Sequence, residues 1–506
     1  MLMDADACYR ALVTRDSRFD GRLFVGVKTT GIYCRPICPA RTPKRENVTF
    51  FATATAAQAA GFRPCLRCRP ESSPDLAAWR GTSNTVTRAL ALIETGALDD
   101  ADVDSLATRL GLGERQLRRL FRRHLGASPI SVAQTRRVLL AKQLIHQTRL
   151  PMTEVALGSG FGSVRRFNET FQRLYDRPPA SLRRQSGEAP AGEDGVRLDL
   201  PYRAPYDWDA LIGFLRMRAI EGVEQVSAAG YARTIAFGKD HGVLTVAPWP
   251  KPDRLSVTIR FPKLGALPAI IARVRRVFDL TADPAAIAEH LARDPALAPR
   301  VAARPGLRVP GAWDGFELAV RAILGQQISV AAATLLAGRI VREWGEPLPA
   351  TLAGVVPGLS HVFPSAERLA SADLSALPMP RARSSALKTL AAAVAADPTL
   401  FEGRGDLSEA TARLKTLPGI GEWTAQYIAM RQLREPDAFP TGDVGLLRAM
   451  AGPDGRRPTT PALQARAEAW RPWRAYAALH LWTGEVIADP LARTFDEKNP
   501  HDREAA

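Results

Sequence analysis

Thr29-Thr-Gly-Ile-Tyr-Cys-Arg-Pro-Ile-Cys-Pro-Ala-Arg41 and, further on, Ala60-Gly-Phe-Arg-Pro-Cys-Leu-Arg-Cys68 hold four of the chain's five cysteines as Cys34-x-x-x-Cys38 and Cys65-x-x-Cys68. Two close pairs of thiols separated by a loop can converge on one d¹⁰ ion, so the spacing points to a tetrahedral Zn2+ held by Cys34, Cys38, Cys65 and Cys68. A zinc-held thiolate stays ionised at neutral pH and is therefore a latent nucleophile as well as a ligand. Arg35, Arg41, Lys44, Arg45, Arg63, Arg67 and Arg69 flank the four and would bring a polyanion close. A purely structural zinc clip is the plainer reading of the same residues. The opening Met-Leu-Met-Asp-Ala-Asp carries no apolar export region. The expected location is thus cytoplasmic, where disulfides are disfavoured.

Working outward, 506 residues are too many for one core, and three or four domains are expected. Lys and Arg total 68 against 52 Asp and Glu, a formal charge of +16. That balance suits a nucleic-acid partner, although a membrane-surface protein would share it. No run of 18 apolar residues occurs, so no membrane span is expected. The fold class read from the chain is multidomain and mainly α. It comprises a small zinc-bound α+β domain over 1–80, an all-α DNA-binding domain over 83–185 and a polar Gly/Pro linker over 186–196. A small α+β domain follows over 197–306, an all-α domain over 307–490 and a tail over 491–506.

Within the second unit, Ser105-Leu-Ala-Thr-Arg-Leu-Gly-Leu-Gly113 followed by Glu114–Arg123 has the form of a helix-turn-helix. Leu106, Ala107 and Leu110 pack the first helix, Gly111 permits the turn, and Leu117 and Phe121 anchor the second. A further copy runs through Val155-Ala156, Gly160-Phe161 and Ser163–Phe171. Two such units joined by a long helix resemble the AraC-type DNA-binding domain, in which each recognition helix enters a major groove. Arg118 and Arg165 are the expected DNA contacts.

The cysteine unit, with Arg45-Glu-Asn-Val-Thr-Phe between its two halves, closely resembles the N-terminal domain of the Ada adaptive-response family. The resemblance implies that Cys34 accepts a methyl group from a methylphosphotriester in DNA, and that Thr30, Arg41 and Arg63 touch the backbone. Four thiolates on zinc carry about −2, and methylating one leaves about −1, so repulsion from phosphate falls and the neighbouring arginines bind DNA more tightly. The chain departs from that family downstream. No cysteine follows Cys68, which excludes the alkylguanine transfer activity of typical members.

What stands there instead is Leu417-Pro-Gly-Ile-Gly-Glu-Trp-Thr-Ala-Gln-Tyr427, a helix-hairpin-helix whose Gly419 and Gly421 let backbone N–H groups reach a phosphate. Asp443 follows in Phe-Pro-Thr-Gly-Asp-Val, then Trp470-Arg-Pro-Trp473-Arg-Ala-Tyr476. With Val320-Arg-Ala-Ile-Leu-Gly-Gln-Gln-Ile-Ser329 and Ala204-Pro-Tyr-Asp-Trp208, these resemble the helix-hairpin-helix glycosylases, and within them the alkyladenine branch, AlkA. Glycosidic cleavage passes through an oxocarbenium-like state, and Asp443 is the expected carboxylate beside the sugar, stabilising charge or activating water. As a helix N-cap alone it would need no such role. Trp423, Tyr427 and Trp473 are expected to line the pocket for a flipped, cationic alkylpurine. Gln327 takes the place of the wedge that fills the gap left by flipping. Strand-nicking relatives carry a Lys where Trp423 stands, so a monofunctional enzyme is implied, and the missing cysteines exclude an iron–sulfur cluster. The carbonyls of Leu417 and Ile420 are expected to hold a monovalent cation.

The combined expectation is a methyl sensor and transcription activator fused to a DNA-3-methyladenine glycosylase. Its partners would be alkylated and promoter double-stranded DNA and RNA polymerase, with one chain acting as a monomer. Two rivals remain: a regulator whose glycosylase half only binds DNA, and a glycosylase whose zinc unit only targets DNA.

Overall fold

The computed structural model describes residues 5–16, 19–70, 84–183, 195–250, 253–402, 406–452 and 454–486. Most of the expected linker over 186–196 and all of the tail over 491–506 lie outside the described residues; Val196 already belongs to a strand.

The cysteine unit is a four-stranded sheet in the order Val48–Phe51, Phe24–Val27, Ile32–Cys34, Arg63–Pro64, the last pairing parallel and the others antiparallel. Its own apolar core is small. Cys8, Ala11 and Leu12 of helix Ala5–Val13 meet Leu23, Val25 and Val48, and Phe24, Tyr33 and Ala57 form a second small cluster. A domain with so little to bury leans on its metal. Arg35 is not available to a polyanion as expected. It is 8% exposed, its Nε donates to Asp20 at 2.7 Å, and its Nη1 donates to the Cys68 carbonyl. The guanidinium ties the second cysteine pair to the loop before the first strand.

The all-α segment follows the expected order. Helices Val103–Arg109 and Glu114–Leu125 form the first helix-turn-helix, Pro129–Gln147 is the long connector, and Met152–Gly158 with Val164–Tyr175 form the second. Gly111 sits at φ +73°, a left-handed turn residue that a Cβ would strain. Leu117 and Phe121 in the first unit, and Phe167 and Phe171 in the second, are fully buried. The first unit closes its own core with helix Asn84–Glu94. The second does not: Val155, Phe161 and Phe171 share one continuous core with the next sheet.

That sheet has five antiparallel strands in the order Val196–Pro201, Arg254–Arg260, Asp240–Pro248, Gly230–Phe237, Glu224–Ser227. Leu255, Val257 and Ile259 alternate inward, where helices Trp208–Arg216 and Leu267–Val277 cover them. Packing moves the boundary expected at 306. Ile287, Leu291 and Val301, on helices Pro284–Leu291 and Ala298–Ala303, bury against Trp470, Tyr476 and Leu481, in the C-terminal helical body. A second helical body gathers Gly315–Leu324, Val330–Trp344, Arg381–Ala396 and Glu422–Arg431. The hairpin lies between Leu407–Lys415 and Glu422–Arg431. Gly419 turns it at φ +82°, and a Cβ there would stand 2.7 Å from the Ala386 Cβ.

Candidate functional site

In the cysteine unit all four Sγ atoms lie within 4.8 Å of one another. Zinc–sulfur bonds of about 2.3 Å place tetrahedral sulfurs about 3.8 Å apart, so the donor set fits a single zinc. Backbone N–H groups of Arg35 and Arg67 donate to Cys68 Sγ and Cys65 Sγ, both at 3.3 Å, a pattern suited to thiolates. Hydrogen bonding with Cys38, Cys65 and Cys68 pushes the Cys34 thiol far above its ordinary range, while bonds from Cys34, Cys38 and Cys68 hold Cys65 far below. Four thiols this close cannot all ionise unless a cation sits among them. As whole residues Cys38, Cys65 and Cys68 are buried and Cys34, the expected acceptor, is half-buried.

Thr30 is exposed in the turn before the strand that holds Cys34, Arg63 is opposite Ile32 on the parallel neighbour, and Arg41 is exposed beyond Cys38. In the recognition helices Arg118 and Arg165 each pair within their own helix. Arg118 Nε donates to Glu114 and Arg165 Nε to Glu169, each at 2.7 Å and within its own helix. Arg115, Arg119 and Arg122 of the first helix and Arg166 of the second are exposed on the same helices. They have no ion pair among the described residues.

The C-terminal half opens a cavity of about 660 Å³ between the five-stranded domain and the two helical bodies. Trp423 and Tyr427 stack at its wall with centroids 4.9 Å apart and planes 13° from parallel. Asp443 is the N-cap of helix Val444–Ala449, its Oδ1 accepting from the Leu446 N–H at 2.9 Å. The same Oδ1 accepts from Trp482 Nε1, and Oδ2 accepts from Trp423 Nε1, both at 2.8 Å. The helix cap and both indole bonds therefore share one carboxylate.

Trp473 is not in this cavity, contrary to expectation. It sits edge-on to Tyr476, with centroids 6.0 Å apart, and lines a separate crevice with Pro436 and Pro472. The second indole at Asp443 is Trp482 instead. In the sequence it is one apolar residue in the run Ala478-Leu-His-Leu-Trp-Thr483, and only the folded helix aims it at Asp443. Phe214, Arg218 and Arg431 also line the cavity and carried no signal in the sequence. Arg431 donates to the Tyr427 hydroxyl at 2.7 Å; burial would raise the phenol, but Arg431 and Arg218 outweigh it and hold it below its usual range.

Gln327 is exposed at φ +60°, outside the helices on either side. Its neighbour Gln326 donates through Nε2 to the Gly419 carbonyl at 2.7 Å. The residue before the expected wedge is thus tied to the hairpin.

Comparison with known proteins bears on the whole chain. Four families match in succession: the metal binding domain of Ada over 7–71, a helix-turn-helix domain over 106–185, the AlkA N-terminal domain over 197–314 and the HhH-GPD superfamily of base excision DNA repair proteins over 320–475. A probable bifunctional transcriptional activator/DNA repair enzyme AlkA of Mycobacterium tuberculosis is 42% identical over 484 residues, covering 95% of this chain and 96% of the relative. The chain belongs to that bifunctional family. DNA-3-methyladenine glycosylase 2 of Escherichia coli is 38% identical over 56% of this chain and 96% of its own length. The 3-methyladenine DNA-glycosylase structure from Archaeoglobus fulgidus overlays with a TM-score of 0.51 at 20% identity, over 58% of this chain and 99% of that one, and so shares the fold. Among the described residues, no helix is long and apolar enough to cross a membrane.

Proposed function

We propose that this chain senses and repairs alkylated double-stranded DNA in two ways: it takes a methyl group irreversibly from the backbone onto Cys34, and it excises alkylated bases of the 3-methyladenine type at Asp443. The observation that carries the reading is one chain holding both a four-thiol cluster with a half-buried Cys34 and a carboxylate under two indole N–H groups in an aromatic cavity.

At the front, Cys34, Cys38, Cys65 and Cys68 hold Zn2+, which when bound keeps the thiols ionised at neutral pH. Cys34 Sγ attacks the methyl carbon of a phosphotriester; the S–C bond forms, the C–O bond breaks, and the phosphodiester leaves with the negative charge. Thr30, Arg41 and Arg63 hold the flanking phosphates. The thioether lowers the cluster's negative charge, DNA binding tightens, and the two helix-turn-helix units activate transcription. RNA polymerase is the partner this implies, and two reading helices in one chain suit a monomer.

At the back, Gly419 and Gly421 present the hairpin's N–H groups to a phosphate, and the Leu417 and Ile420 carbonyls hold a monovalent cation. Gln327 enters the gap as the damaged base turns out and stacks in the cavity with Trp423 and Tyr427. Both Asp443 oxygens already accept N–H bonds, which favours a fixed anion beside the oxocarbenium over a base that moves a proton. With Trp423 where a Schiff-base lysine would stand, the product is an abasic site.

One incubation with methylated DNA tests both halves. The wild type gains the mass of one methyl and releases free 3-methyladenine; Cys34→Ser loses the first alone and Asp443→Asn the second alone. A protein that gains the methyl but releases no base would be the regulator with a non-catalytic half.

A further inference from the structure

Large apolar side chains stand exposed at the mouth of the aromatic cavity. Met217 and Val330 line it and are 48% and 44% exposed, and Val444, between the lining residues Asp443 and Gly445, is 53% exposed. A duplex docked on such a mouth covers them, and a polar edge brought against them loses its water.

Gln327 stands in the turn from Gly325 to Ser329, of which Gly325 and Ile328 line the cavity. The turn is held from both sides. Gly325 ends helix Gly315–Leu324, and Ser329 caps helix Val330–Trp344, its Oγ accepting from the Ala332 N–H at 3.2 Å. Gln326 donates through Nε2 to the Gly419 carbonyl and, at 3.3 Å, to the Thr424 hydroxyl, while its own carbonyl accepts from Arg383. Between these anchors Gln327 is held at φ +60°, a left-handed conformation that a side chain other than glycine keeps when its surroundings impose it. Gln326 and Ser329 are thus engaged. The Gln327 carboxamide is exposed and has no hydrogen-bond partner among the described residues.

The chemistry of that carboxamide says what it can meet. When a damaged base turns out, its partner on the other strand stays in the stack with its pairing edge unmatched. An apolar wedge would fill the gap and leave that edge with neither water nor partner, which costs more than the bond itself is worth. Glutamine carries a donor NH2 and an acceptor carbonyl side by side. Each of the four bases presents a neighbouring donor and acceptor on its pairing edge, so a carboxamide turned one way or the other can bond any of them twice.

We propose that Gln327 is a specificity-determining residue that hydrogen-bonds the pairing edge of the base opposite the lesion, so that excision favours lesions facing an intact base, whatever its identity. This rests on the glycosylase reading above and on Gln327 entering the gap. A lesion that faces a lost base is then excised more slowly, and repair does not leave two abasic sites face to face.

The test is a double-mutant cycle on the full chain. Duplexes carry one 7-methylguanine opposite thymine or opposite difluorotoluene, a ring of thymine's shape whose edge forms no such bonds. Weaker pairing of the lesion speeds wild type and variant alike and cancels in the ratio. Single-turnover release opposite thymine relative to difluorotoluene should be roughly tenfold higher in wild type than in Gln327→Met, which keeps the reach of the side chain and removes the carboxamide. Gln327→Asn keeps the carboxamide on a shorter stem and should retain part of that ratio. The same ratio should appear in affinity for duplexes with a tetrahydrofuran abasic site opposite thymine or difluorotoluene, where no lesion pair has to break. A ratio that Gln327→Met leaves within about twofold of wild type in either assay overturns the inference and leaves the glycosylase reading intact. A wild type that releases no 7-methylguanine from any of these duplexes overturns the glycosylase reading, and this inference with it.

Discussion

Asp443 accepts three N–H bonds, from Leu446, Trp423 and Trp482, and each should have its own kinetic signature. Asp443→Asn keeps an N-cap oxygen but loses the charge, so excision should fall about 10²–10³-fold with little change in melting temperature. Trp482→Phe keeps the ring and removes one N–H, and single-turnover excision should slow about tenfold. Trp473→Phe, in the other crevice, should leave the rate unaltered; a comparable slowing there would restore Trp473 to the site. The cysteine cluster and the meeting of Asp443, Trp423 and Tyr427 were legible because each belongs to a short motif of the chain. Trp482 was not, since its partner lies 39 positions away. Nor were the pairs of Arg118 with Glu114 and of Arg165 with Glu169, which depend on rotamers one helical turn along.

At the scale of elements, turns and caps were readable because they rest on local backbone physics. The hairpin shows how sharply. Gly419→Ala puts a Cβ at a positive φ and within 2.7 Å of the Ala386 Cβ, so it should destabilise by about 1–3 kcal/mol and weaken DNA binding, measured by thermal melting and a binding titration. The zinc unit offers a second test. With only a handful of apolar side chains in its core, it should lose structure on metal chelation while base excision persists, as read by circular dichroism and base release. In strand Gly230–Phe237, Arg233 and Thr234 break the apolar pattern that would announce it in the sequence. Both are buried, Arg233 by pairing with Glu317 and Thr234 by donating to the His361 carbonyl.

At the scale of the molecule, the regulatory and repair halves are joined rather than strung along a tether. Arg88 of helix Asn84–Glu94 pairs with Glu435 at 2.9 Å, both about nine-tenths buried, and Arg109 grips Glu402 through two bonds of 3.1 and 2.6 Å. Arg88→Met leaves Glu435 buried without its cation and should cost about 3–5 kcal/mol, whereas the double variant with Glu435→Leu should recover most of it, measured by denaturant unfolding. Acid should loosen the C-terminal body. Burial, with help from Arg300, depresses His480 to about 4, so unfolding binds a proton that the native state refuses. The stability involved is whole above pH 6.5 and is lost as pH falls toward 4, by up to about 3 kcal/mol. His480→Gln should flatten that limb of the pH–stability curve.

The sequence alone determined the order of parts, the zinc ligands, the reading helices, the hairpin and the carboxylate, because each is written in residues close together along the chain. The tertiary structure decided what converges from afar: Trp482 over Asp443, Arg218 in the cavity, the core shared by the second helix-turn-helix and the five-stranded sheet, and the ion pairs joining the halves. Local patterns record backbone conformation and periodic burial. Which distant side chains meet depends on how whole faces pack, and no spacing in the chain encodes that.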